Sequence, residues 1–91
     1  MSEQAEKLKA TVKELETELA QLASLDSESR ATLEEAAREI HTALHSDEAD
    51  ESWPQQFAER LQESAARLES SHPTLFGVVS RTIDALGQMG I

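Results

Sequence analysis

Between residues 3 and 23 the apolar side chains fall at Ala5, Leu8, Val12, Leu15, Leu19 and Leu22, spaced 3, 4, 3, 4 and 3 apart with no Gly or Pro between them. A repeat of this period gathers all six on one narrow stripe of a helix, whereas a strand would scatter them over both faces. The segment therefore predicts a helix over 3–23 carrying the a/d seam of a coiled coil, and a seam of that kind needs a second helix to cover it. Leu8, Val12, Leu15, Leu19 and Leu22 are accordingly the candidate interaction residues, facing another helix of the same chain, a protein partner or a second copy in a homodimer. In a parallel homodimer the flanking positions would pair Gln4 with Lys9, Thr11 with Glu16 and Glu18 with Ala23. None of these is a salt bridge, so charge specifies no such dimer.

Three further helices follow. After a turn over 24–27, Asp26 or Ser27 supplies the short oxygen-bearing side chain of an N-cap for a helix over 27–45. Leu33, Ala36 or Ala37, Ile40 and Leu44 line its apolar face, while Arg30, Glu34, Glu35 and Arg38 face away. Residues 46–52 read as an acidic linker, with Asp47, Glu48, Asp50 and Glu51 in close succession. Ser52 and Gln55 have capping-box spacing, Pro54 sits in a first turn, and a helix over 53–70 presents Trp53, Phe57, Leu61, Ala65 or Ser64, and Leu68. Pro73 disfavours helical geometry at His72 and opens a last helix over 73–87, ended by Gly87 or Gly90. Its stripe of Leu75, Phe76, Val79, Ile83, Leu86 and Met89, with Val78 off the line, is wider than one neighbour can cover, so it should touch two helices, or one helix and a partner chain. The expected fold class is all-α, a small up-and-down bundle of four helices; the alternative is three helices with the first projecting as a coiled coil.

Ninety-one residues allow one domain, 1–91, and Leu, Ile, Val and Phe make up 19 of them, enough for a modest core. The net charge of −10 repels phosphate backbones and anionic headgroups alike, and three aromatic side chains offer little for base stacking, so neither nucleic acid nor membrane is an expected partner. Residues 72–91 are exempt from this acidity, since Arg81 and Asp84 cancel. The polar, acidic start Met1-Ser2-Glu3-Gln4 has no secretory character, and the expected location is the cytoplasm. With no Cys, disulfides, thiolate metal sites and cysteine nucleophiles are excluded.

Chemistry-bearing patterns are few. His41 and His45, four apart, emerge from one face of the second helix and have the spacing of a two-point metal clamp, to which Asp47, Glu48 or Glu39 would add an oxygen. The same two side chains also suit the negative end of a helix dipole without any metal, and no His-Glu-x-x-His accompanies them. His72 is placed to partner the end of the third helix or the start of the fourth. The acids of 47–51 lack the central Gly and alternating ligands of a calcium loop. Trp53 and Phe57, one turn apart, are an aromatic pair for the core or for a partner. No nucleophile elbow or phosphate-binding glycine loop is present, and a core this small leaves little room for a pocket. The expectation is a non-enzymatic, cofactor-free interaction or self-association module, with a metal- or pH-responsive sensor through His41 and His45 as the alternative.

The string His72-Pro73-Thr74-Leu75, the turn Leu25-Asp26-Ser27 before the second helix, and the closing Met89-Gly90-Ile91 resemble the short bacterial proteins grouped as domain of unknown function 4404. The likeness spans most of the chain and implies a compact bacterial domain occurring alone. It brings no activity, ligand or catalytic residue, and His41 with His45 stands apart from its pattern.

Overall fold

The four apolar stripes are realised as four α-helices, α1 Glu3–Gln21, α2 Ser27–Leu44, α3 Trp53–Leu68 and α4 Pro73–Met89. This computed structural model describes residues 3–45 and 52–89, and among them there is no strand. The acidic linker, apart from Ser52, and the closing Gly90-Ile91 lie outside the described residues. Around the bundle α1 packs on α2, α2 on α3, α3 on α4 and α4 back on α1, a closed ring of four neighbours. Arg60 pairs with Glu39 and Arg67 with Glu28, so position falls along α2 as it rises along α3. Those two helices are therefore antiparallel, and with short connections on either side the arrangement is up-and-down. The molecule measures 36 × 20 × 20 Å.

The core is one layer of Leu, Val, Ile and Ala running the length of the ring, including Leu15, Leu33, Ile40, Leu61, Leu75 and Leu86. Because α4 has the widest stripe it is buried against both α1 and α3, as its breadth requires. Two hydroxyls enter this apolar interior. Thr82, fully buried, donates to the Val78 carbonyl at 3.0 Å, and Thr11 donates to the Leu8 carbonyl at 2.9 Å. Each is satisfied within its own helix, which is what lets a polar atom sit there at little cost.

The helix ends show where local chemistry departs from the sequence expectation. Asp26 is the N-cap of α2, accepting from the Ser29 amide at 3.0 Å, and Leu25 just before it is buried as a plug at the end of the bundle. The last turn of α1 contains no basic residue of its own. Arg30 of α2 supplies one: rather than facing solvent as expected, its guanidinium turns back and donates to the carbonyls of Leu19 and Leu22. These carbonyls are the negative, under-partnered end of α1, and a cation there is favoured on both counts. At the head of α3 Ser52 makes no side-chain cap bond to the backbone; Gln56 Nε2 donates to its Oγ at 3.1 Å in place of the expected capping box with Gln55. Between α3 and α4 the backbone of His72 joins both helices, its amide donating to Leu68 O and its carbonyl accepting from the Phe76 amide, both at 2.8 Å. Gly87 does not end α4, which continues to Met89, and no described glycine has a positive φ.

Candidate interaction site

The seam of α1 is covered from within. Leu8, Val12, Leu15 and Leu19 are 0–2% exposed and belong to the chain's own core, and Leu22 is partly buried against the same cluster. With α2 on one side and α4 on the other, the first helix does not project. A partner helix would have to displace one of those neighbours before it could reach the four buried residues.

Other apolar side chains of α3 and α4 are only partly buried against the core. On α3 Leu61, Ala65 (rather than Ser64) and Leu68 are buried as expected, while a local rotation at the start of the helix buries Pro54 and Ala58 in place of the expected Trp53 and Phe57. The rotation leaves Trp53 and Phe57 half-buried at the edge, ring centroids 6.0 Å apart and edge to face, with the Arg60 guanidinium 4.9 Å from the Phe57 centroid. On α4 the buried residues are Leu75, Val78, Val79, Thr82, Ala85 and Leu86, so Phe76 and Ile83 stand on the shoulder of the stripe, half-buried. They line a shallow groove between α3 and α4 together with Gln62, Ala65, Ala66, Glu69, Ser80 and Asp84. Ala65, Ala66, Phe76 and Ile83 give it apolar lining, and it carries Glu69 and Asp84 with no cation among its lining residues.

The adjoining outward side of α4 is made of small residues. At 100° per residue Gly77, Ser80 and Gly87 fall together with Asp84, opposite Thr82 and Leu75. A Cβ placed on Gly77 or on Gly87 would meet nothing within 4 Å. Neither glycine is needed for close packing inside the chain, and each costs roughly 0.5–1 kcal/mol of helix stability relative to Ala.

The histidine pair is also brought together. His41 and His45 are exposed at the C-terminal end of α2, ring centroids 4.7 Å apart with planes inclined at 68°. Of the extra ligands considered for it, Asp47 and Glu48 lie outside the described residues. Among the described residues no group of three His, Cys, Asp or Glu side chains is placed to hold a metal ion. His72 is half-buried, and it is its backbone that bridges the two helices. One carboxyl is clearly perturbed: the Ser29 amide, and after it the Ser29 hydroxyl, hold Asp26 below the usual carboxylate range.

The sequence points to α1 for the interaction residues and to α4 as a helix whose stripe is wide enough for two helices or for one helix and a partner chain, without locating the groove between α3 and α4. The signal for it was the same excess width of the α4 stripe that predicted two neighbours, because a stripe that broad leaves a shoulder after both are in place.

Fold and surface together define a small all-α bundle of four helices. The family described as domain of unknown function (DUF4404) matches residues 8–91, nearly the whole chain, and the chain belongs to that family. Neither the comparison with curated proteins nor that with solved structures finds a match.

Proposed function

We infer that this is a non-catalytic, acidic interaction module of the cytoplasm that takes an amphipathic helix of a partner protein into the α3/α4 groove. The observation that carries the reading is the pair Phe76 and Ile83, packed against the core yet left partly exposed in that groove while the seam of α1 is sealed. A helix whose apolar face rests on Phe76, Ile83 and Ala66 would pass beside Gly77 and Gly87, where the missing Cβ atoms allow a close backbone approach. Charge selects the occupant. Glu69 and Asp84 line the groove of a chain of net charge −10, so a partner flanked by Lys and Arg is drawn in, and a second copy, equally acidic, is repelled.

The test uses a synthetic helical peptide with a Leu stripe flanked by Lys, followed by fluorescence anisotropy at low and moderate salt. Binding should weaken at least about tenfold in Ile83→Glu, which places a charge in the apolar lining of the groove, and less in Glu69→Gln, which removes a rim charge. Binding unchanged by Ile83→Glu would refute the groove, as would equal affinity for the same peptide flanked by Glu. If light scattering instead finds two chains per particle and Ile83→Glu restores one, the occupant is a second copy and the basic-partner reading fails.

A further inference from the structure

We propose that His41 and His45 form a chelating site for a divalent first-row transition-metal ion of the Zn2+ or Cu2+ kind. The two rings project from consecutive turns of α2, both exposed, so an ion reaches them without opening the bundle. A metal holding two imidazoles at the usual Zn–N distance of about 2.0–2.1 Å, with 90–110° between the bonds, puts the ring centroids about 4.5–5 Å apart. The separation found is 4.7 Å, within that range, with the rings edge to face rather than stacked. The surroundings favour a cation. His45 is the C-cap of α2 and its amide donates to Thr42 O at 3.1 Å, which places both rings at the negative end of that helix.

Imidazole prefers the borderline metals over Ca2+ and Mg2+, which want oxygen, so the site discriminates by chemistry. With two protein ligands among the described residues the site is open and exchangeable, responsive to the free metal concentration rather than structural. A metal joining residues 41 and 45 also ties the last turn of α2 together, since the pair is in register only while that turn is helical. Occupancy therefore raises the stability of the folded chain with the logarithm of free metal.

The experiment is a calorimetric titration of the full chain with ZnCl2 and, separately, CuCl2 in a non-coordinating buffer, alongside NMR of the histidine ring protons. One ion should bind per chain, the ring signals of His41 and His45 should shift or broaden together, and those of His72 should stay. His41→Ala and His45→Ala, both at exposed positions that leave the core untouched, should each weaken binding at least about tenfold, because a chelate becomes a single ligand. The thermal midpoint of the wild type should rise with added Zn2+ and that of either variant should not. Wild-type affinity in either single variant, or a bound ion retained by the double variant, overturns the site. The proposal does not rest on the α3/α4 groove: Ile83→Glu should leave metal binding intact, so the two readings fail separately.

Discussion

Replacing Gly77 by Ala should make the isolated protein more stable, and the size of the effect follows from the structure. Gly77 is the fifth residue of α4, in helical conformation, and an added Cβ meets nothing within 4 Å. The substitution therefore removes the backbone freedom of glycine in the unfolded chain without introducing a clash, a gain of about 0.5–1 kcal/mol. For a domain of this length 1 kcal/mol moves the midpoint by about 4–8 °C, so Gly77→Ala should melt about 2–8 °C higher. Urea denaturation followed by circular dichroism gives the same quantity independently, and the slope should be unchanged because the surface exposed on unfolding is nearly the same. In the peptide assay the order should reverse: the extra methyl fills the space a docked helix approaches, so Gly77→Leu should weaken binding more than Gly77→Ala. A midpoint that stays level or falls would refute the reasoning, since it would mean that something already occupies the position where the methyl goes. A raised midpoint with binding unaffected by Gly77→Leu would leave the stability argument standing and remove the glycine from the docking face.

Leu15→Ala, at a fully buried position of α1, should cost about 2–5 kcal/mol in urea melts; a cost under about 1 kcal/mol would show that the seam is looser than its burial indicates. Arg30→Ala leaves the Leu19 and Leu22 carbonyls without their cation and should cost about 1–2 kcal/mol, with hydrogen exchange rising in the last turn of α1 rather than in α3. Asp26→Ala should lower the melting midpoint at pH 7, and this difference should vanish on acidification. Its carboxyl is held below the ordinary 3.8 in the fold, so its contribution is present above the unfolded value and lost as pH falls through the folded one. A difference from wild type that persists unchanged at pH 2 would point to a role other than that of a charged cap.

How far the sequence reaches can be read residue by residue. Helix existence was legible because heptad spacing, the Asp26 cap, Pro54 and Pro73 are local signals, and the starts of α2, α3 and α4 at Ser27, Trp53 and Pro73 follow from the last three. The buried faces of α1, α2 and α4 were legible too, through Leu8, Leu15, Leu33, Ile40, Leu75 and Leu86, whereas the first turns of α3 were not, since their rotation depends on neighbours. Trp53 and Phe57 have the size and spacing of core residues, yet α3 buries Pro54 and Ala58, and the small side chains let it lie close to the ring while the rings move to the rim. Thr82 looked polar and is completely buried, because its hydroxyl can be satisfied by Val78 O within the same helix and its methyl then packs like that of Val. Arg30 looked like a solvated face because its partners, two carbonyls of α1, carry no side-chain signature at all. The same limit explains the candidate site. A seam of period 3.5 states that a helix must be covered, and it is silent on whether the cover comes from the same chain. In this fold α2 and α4 cover Leu8, Val12, Leu15 and Leu19, and the unfilled requirement passes to α4, whose stripe exceeds what α1 and α3 together conceal. The remainder, Phe76 and Ile83, is the apolar shoulder over the α3/α4 groove, flanked by a helix face on which glycine has no role inside the chain.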